Sequence, residues 1–402
     1  MRIIVIGGGV IGATSATWLA KAGHSVELVE QEPEGGQGVS AGNGGQLSYA
    51  YVEPLAGPDL WAKFPAILLG LDSAVRIRPR FSRDALSWTA AFLAQCFGPR
   101  QRAALSDLLH LAAESRAAMA ELLAEAALDF DHGQRGKLIL YRDQRSLDGA
   151  GALAEIKRAH GFKIEVLDRA RCLALDPALG GYGNDFAGGV YAPQDESGDC
   201  GKFTRALLAH VKDRLGVEVH TSTRVLRLNA SNGRICGIDL TNGTRMADAV
   251  VLAAGIDAPR LAATIGLDLP IQPVKGYSIT APARAAAPQV SLTDRGEKIV
   301  FARLADRLRA AAFADLDGWS PAVKPDRAVA LQALVRKLFP DGADWDRAAP
   351  VWAGQRPMTP SGRPLIGASG RPGLYLNAGH GGLGWTLACG AAKRLAAMIS
   401  TG

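Results

Sequence analysis

The first thirty residues constrain the fold more than any other stretch of the chain. Arg2-Ile3-Ile4-Val5-Ile6 is a short β-branched run, the signature of a strand buried on both faces of a parallel sheet. Gly7-Gly8-Gly9-Val10-Ile11-Gly12 follows at once and fits G-x-G-x-x-G through Gly7, Gly9 and Gly12. Residues 13–22 then read as a helix, Gly23-His24 as a turn, and Ser25-Val26-Glu27-Leu28-Val29-Glu30 as a second strand. Each glycine answers a different need. Gly7 permits a tight turn, Gly9 lets backbone N–H groups approach a pyrophosphate, and Gly12 lets the helix pack closely on the strand. The helix N-terminus adds partial positive charge where phosphates would sit. Glu30, closing the second strand, is placed to accept hydrogen bonds from a ribose, and its carboxylate argues against a 2′-phosphate. The stretch therefore predicts a dinucleotide site, with Ile6, Val10, Ile11 and Gln31 beside the glycines and the acid.

At 402 residues the chain is long enough for two or three domains with their own cores. The formal charge is +6, but no basic block stands out, so nucleic acid is not an expected partner. The five cysteines are odd in number and form no C-x-x-C pair, which suggests neither a zinc site nor a disulfide framework. No metal is expected. Glycines interrupt the N-terminal apolar run, unlike a secretory signal, and no stretch approaches the roughly 18 apolar residues of a membrane span. The expectation is a cytoplasmic protein, with peripheral contact at the inner face of the membrane left open through the apolar segment 60–71. Trp61, Phe64, Trp88 and Phe92 suit packing between helices better than lipid contact.

Beyond Glu30, Ser40-Ala41-Gly42-Asn43-Gly44-Gly45-Gln46 is a second cluster of small and amide residues. Such a loop lays backbone and hydroxyl groups along a diphosphate or an aromatic ring without steric conflict. Helices are expected over 84–97, 103–128, 147–160 and 202–215, and strands over 136–141, 217–220 and 224–228. Ala249-Val250-Val251-Leu252-Ala253-Ala254-Gly255 reads as a buried strand ending in small residues, where a parallel sheet passes its ligand; Ala253, Ala254, Gly255 and Val225 join the cofactor candidates. From residue 270 the pattern turns to strands. Near the end, Leu374-Tyr375-Leu376-Asn377 leads into Gly379-His380-Gly381-Gly382-Leu383-Gly384 and a helix over 385–399. The helix end there directs N–H groups and positive potential at its ligand. Gly381, Gly382, Leu383, Gly384, Trp385 and Thr386 are therefore cofactor candidates. His380 suits contact with a ring or substrate and, equally, a hydrogen bond to backbone.

Both ends of the chain thus carry a strand–glycine–helix unit. The predicted class is α/β: a discontinuous Rossmann-like cofactor domain with an inserted α+β substrate domain on an antiparallel or mixed sheet. Residues 1–83, 146–268 and 352–402 are assigned to the first unit, 84–145 and 269–351 to the second.

Together with Asp195-Glu196-Ser197-Gly198-Asp199-Cys200, Val274-Lys275-Gly276-Tyr277-Ser278 and Gly354-Gln355-Arg356-Pro357-Met358-Thr359-Pro360, these motifs run nearly end to end. The chain resembles the FAD-dependent D-amino-acid dehydrogenase small-subunit family, within the glycine oxidase/D-amino-acid oxidase superfamily. The resemblance implies non-covalent FAD and oxidative deamination of a D-amino acid to an imino acid, which water hydrolyses to a 2-oxo acid and ammonia. It implies hydride transfer from the substrate Cα to flavin N5, and a quinone or other respiratory carrier as electron acceptor. Homo- or hetero-oligomerisation is left open.

By motif position, Arg303 and Arg356 match the arginines that hold the substrate carboxylate in that superfamily, and Tyr51 and Tyr277 match its tyrosines. A guanidinium fork meets a carboxylate in two parallel bonds. A sister reading keeps the same motifs for a secondary amine, such as D-proline, D-hydroxyproline or an N-methyl amino acid. Where relatives often carry glycines after Arg309, this chain has Ala310-Ala311-Ala312, whose methyl groups are expected to reshape the pocket. Glu53 is read either as a partner for a cationic substrate or as a solvated acid.

Overall fold

The computed structural model describes residues 1–57, 67, 72–78 and 80–401. The apolar segment 60–71, apart from Ile67, lies outside them, and with it Trp61 and Phe64.

The first strand, Arg2–Ile6, sits inside a six-stranded sheet, flanked by Ser25–Val29 on one side and Ala249–Leu252 on the other, both parallel to it. Ile3, Ile4 and Val5 are fully buried, as an apolar run between two covered faces requires. Glu218–His220 extends the sheet beyond the second strand, Leu374–Ala378 extends it beyond Ala249–Leu252, and Leu365–Ala368 closes that edge antiparallel. Chain order reverses direction across the first strand, and this opens a crevice at the carboxyl ends of the strands. A three-stranded antiparallel meander over residues 225–246 lies beside this sheet.

The helices Val10–Lys21, Gly384–Thr401 and Gly98–Glu125 share one apolar core on this layer. They pack closely. A Cβ on Gly390 would stand 2.6 Å from Ser115 N, and Ser115 Oγ donates to Thr386 O at 2.7 Å while accepting from Gly390 N–H. Thr14 Oγ1 likewise donates to Ala388 O at 3.2 Å.

The second layer is a mixed nine-stranded sheet. Among its strands Arg307–Leu316 lies between Gln272–Pro282 and Ile299–Leu304 and runs antiparallel to both. The helix Pro325–Leu338 and Phe339 cover one face, burying Phe301, Ile299 and Leu331.

The two-unit α/β architecture is as expected, but the segment boundaries are corrected in four places. Helix Gly98–Glu125, assigned to the substrate unit, packs in the cofactor layer through Ser115 and its apolar face. Strands Val75–Ile77, Glu165–Asp168 with Gly188–Ala192, and Trp352–Met358, all assigned to the cofactor unit, pair into the nine-stranded sheet. For the strands the reason is common. Hydrogen-bond partners far along the chain decide which sheet a strand joins, and local composition does not record them. Predicted helix starts fell two to five residues late because Asp199 caps Cys200–Leu215 by accepting from Lys202 N–H, and Pro99 occupies the first turn of Gly98–Glu125.

Candidate active site

A cavity of about 750 Å³ runs between the two layers, near the upper end of the range for small-molecule sites. Its walls come from the glycine turn after the first strand, the 40–46 loop, the C-terminal glycine loop and the exposed face of the large sheet.

The glycine turn follows from sterics. Gly7 has φ +109, and a Cβ there would stand 2.6 Å from Ala253 O. Gly12 lies behind the cavity wall, where a Cβ would stand 1.7 Å from Gly7 O. The helix Val10–Lys21 starts at Gly9 with no side-chain cap of its own and no acid in its first turn, so its positive end is not neutralised locally. Ser40 Oγ accepts from Val10 N–H at 3.0 Å and pins the second loop to this turn. Glu30 accepts from Gly8 N–H and from Glu32 N–H. Burial nevertheless holds its carboxyl above the usual range.

The 40–46 loop is tied to the large sheet. Gly42 lies against the indole of Trp352, where a Cβ would stand 2.3 Å from Cδ2, and its carbonyl accepts from Ser278 Oγ at 2.7 Å. Arg309, half of a buried ion pair with Asp199, also donates to Asn43 O at 3.3 Å. Gln46 Nε2 donates to Leu292 O.

Most of the predicted cofactor residues line this cavity: Ile6, Gly7, Gly9, Val10, Ile11, Glu30, Gln31, Ser40, Asn43, Gly44, Gly45, Gln46, Val225, Ala253, Ala254, Gly255, Arg356, Gly381, Gly382, Leu383, Gly384, Trp385 and Thr386. Gly12 and Ala41 do not; Gly12 instead allows the helix to approach Gly7, and Ala41 N–H closes a turn onto Gly38 O.

Of the predicted catalytic residues, Tyr51, Tyr277, Arg356 and His380 line the cavity and Arg303 does not. Strand periodicity explains the exception. On Ile299–Leu304 the even positions meet the cofactor loop: Val300 Cγ2 lies against Gly44, and Ala302 and Leu304 lie against Gly45. Odd positions face the other way, and Arg303 Nε is spent on Ala305 O at 3.2 Å. The motif position did not carry that alternation.

Arg356 stands over Gly276, where a Cβ would reach within 2.2 Å of its Nη2, and beside Gly382. Its Nη1 donates to Phe313 O at 3.3 Å. Phe313 has φ +68 at a break in register between its strand and Gln272–Pro282, and this bulge turns the carbonyl toward the guanidinium. Among the described residues, no carboxylate pairs with Arg356. Burial lowers its hold on the proton, but a guanidinium stays charged.

Tyr277 is buried with its hydroxyl donating to Asp315 Oδ2 at 3.2 Å; Arg327 grips the same carboxylate. In register Tyr277 stands beside Ala312 and Ile299, on the face of the sheet covered by helix Pro325–Leu338, while its neighbours Gly276 and Ser278 face Arg356 and the Gly42 loop. Tyr51 lies under two lysine side chains, Lys137 Nζ at 4.4 Å and Lys157 Nζ at 5.2 Å from the ring centroid. Glu53 is neither solvated nor free: it pairs with Lys157 at 2.8 Å and Arg295 at 3.2 Å. Burial would raise its carboxyl, but the two cations win and hold it below the usual range. Ala311 and Ala312 line the cavity, whereas Ala310 is buried away from it.

His380 is 3 % exposed and its Nε2 has no partner among the described groups. Burial pushes its imidazole down to about 3 from 6.5, so the ring is neutral through the working range. An unfolded chain binds the extra proton below about pH 6.5 and the folded one does not. Stability from this residue is therefore complete above that pH and is lost as the pH falls toward 3. The denaturant midpoint of the wild type is expected to drop more between pH 7 and pH 5 than that of His380→Leu.

Lys137, Lys298 and Trp352 also line the cavity and were missed. Lys137 carried a signal: it is the single charge in an otherwise apolar strand, Lys137–Tyr141, every residue of which is buried.

This glycine cradle, open helix end and long cavity fit FAD, and the whole chain agrees. Residues 2–398 match the model of the FAD dependent oxidoreductase family, DAO, and the protein belongs to that family. It is 42% identical over 403 residues to the D-amino acid dehydrogenase of Paramagnetospirillum magneticum, spanning 100% of this chain and 95% of that protein. It is 39% identical to the D-amino acid dehydrogenase of Bradyrhizobium diazoefficiens with the same coverage. The glycine oxidase of Geobacillus kaustophilus shares the fold, with a TM-score of 0.77 at 24% identity over 100% of this chain and 95% of that one. Among the described residues no helix is long and apolar enough to cross a membrane.

Proposed function

We propose that this protein is an FAD-dependent D-amino acid dehydrogenase that releases an imino acid, which water converts to a 2-oxo acid and ammonia. The observation that carries the reading is Arg356: a half-buried cation in the cavity wall with no described carboxylate opposite it. A partly desolvated charge without a partner is costly, and an amino-acid carboxylate supplies the missing one in two parallel bonds. The names of the full-length relatives support the same substrate class. The glycine turn and Glu30 would hold the adenosine and diphosphate parts of FAD, and the loop 381–386 the redox-active end. Bound FAD supplies the hydride acceptor. The chain's residues contribute binding and orientation: Arg356 fixes the carboxylate, and Tyr51 borders the side chain. Electrons leave for a quinone or another respiratory carrier.

Anaerobic addition of D-amino acids to the yellow holoenzyme is expected to bleach its visible absorption, with L-isomers inert. A protein that takes up FAD but is bleached only by proline-like or N-methyl amino acids would replace the substrate class. One bleached by nothing would remove the reading.

A further inference from the structure

The wall of the cavity contains a buried lysine that the roles above do not use. Lys137 is 2 % exposed. Its Nζ donates to Ser48 Oγ at 2.8 Å and lies over Tyr51, and it forms no salt bridge with a described carboxylate. Behind it is Asp195, 1 % exposed. Asp195 Oδ1 accepts from Ala50 N–H at 2.9 Å, but Oδ2 is buried with no described partner. Asp195 also lines a second, open cleft of about 410 Å³ on the outer surface, together with Arg116, Gln134 and Glu196. Lys137 thus lines the substrate cavity and Asp195 the second cleft, and one short segment binds both, Ser48 accepting from Lys137 and Ala50 donating to Asp195.

We propose that Lys137 and Asp195 form a proton relay, in which Lys137 takes the proton of the substrate's ammonium group and Asp195 passes it to the second cleft. This rests on the amino-acid reading above. An N–H bond of the substrate ammonium breaks and an Nζ–H bond forms on neutral Lys137. The electron pair stays on the substrate nitrogen, leaving a neutral amine able to expel hydride from Cα. The Nζ–H bond then breaks as a bridging water carries the proton to the Asp195 carboxylate, which releases it to water in the second cleft, and neither residue changes oxidation state.

The surroundings set the direction. Burial, with Lys157 adding to it, lowers the proton affinity of Lys137, although Asp195 and Glu53 act the other way. Burial raises Asp195 against the pull of Lys137 and Lys157, and Glu196 pushes the same way as burial. Two groups brought toward each other in proton affinity exchange protons readily. Tyr49 also faces Asp195 with a hydroxyl that is buried and unpartnered, but burial raises it far beyond the range in which it would ionise. Tyr51, beside Lys137, is raised by burial in the same direction.

The test is the pH profile of anaerobic flavin reduction by a D-amino acid, from pH 6 to 10, in wild type, Lys137→Met and Asp195→Asn. Methionine keeps the buried stem. At pH 7 the Lys137→Met rate is expected to fall about tenfold or more, recovering to within about threefold of wild type at pH 10, where solvent strips the amine proton. Asp195→Asn is expected to show a smaller loss of the same shape. An independent readout uses 2-aminoisobutyrate, which has no Cα–H to lose. Calorimetry in buffers of different ionisation enthalpy is expected to show proton release on binding to wild type and none for Lys137→Met. An equal loss of rate at every pH, or proton release unchanged in Lys137→Met, overturns the relay. Should Lys137→Met not fold, an Asp195→Asn profile parallel to wild type overturns it as well. Wild type that no D-amino acid bleaches overturns instead the amino-acid reading.

Discussion

Arg356→Met is expected to lower kcat/KM for a D-amino acid by about 10²–10³-fold, roughly 3–4 kcal/mol of transition-state binding. The same change should leave the denaturant midpoint of the substrate-free protein equal to or above that of wild type. These two results belong together. In the free protein the guanidinium is half-buried against Phe313 O and Gly276 with no described carboxylate, so removing its charge removes part of a desolvation cost. In the substrate complex the same charge meets a carboxylate and the balance reverses. Steady-state kinetics and urea unfolding measure the two halves. A loss of activity accompanied by an equal loss of stability would make Arg356 a structural residue.

Gly12→Ala is expected to yield protein without FAD. The added methyl would stand 1.7 Å from Gly7 O, and the atom it meets is backbone, which has no rotamer to escape into. Either the helix Val10–Lys21 shifts off the strand Arg2–Ile6 or the turn at Gly7 opens, and Gly7 is itself held at φ +109 against Ala253 O. Steric conflict of this kind in a core costs roughly 3 kcal/mol or more. The absorbance ratio of flavin to protein after purification reads the outcome directly. Gly38→Ala, at a cavity-lining glycine where a Cβ meets nothing within 4 Å, is the control expected to retain its flavin.

The two glycine units were legible because their constraints are local. A strand of β-branched residues, a turn that forbids a Cβ and a helix that starts at a glycine are set by neighbours within a dozen positions. Glu30 was legible for the same reason, since it ends the strand that pairs in register with the first. Arg303 was not. It sits two residues from Phe301 on a correctly expected strand, yet the side it faces depends on which positions meet Gly44 and Gly45 from another part of the chain. Glu53 could not be decided from sequence, because its two cations lie 104 and 242 residues away.

What the sequence determined by itself was therefore the nucleotide-binding architecture, which rests on short-range sterics repeated at the two chain ends, and, through the motifs it shares along the chain, the family it resembles. What only the tertiary structure decided was the composition of the cavity wall. It put Arg356 in that wall and Arg303 outside it, spent the Tyr277 hydroxyl on Asp315, and left Lys137 in the wall without a salt bridge to a described carboxylate. Those outcomes turn on pairings between charges brought together from distant segments. In a low-dielectric interior such pairings decide whether a polar side chain is satisfied by the protein or is left to meet a ligand.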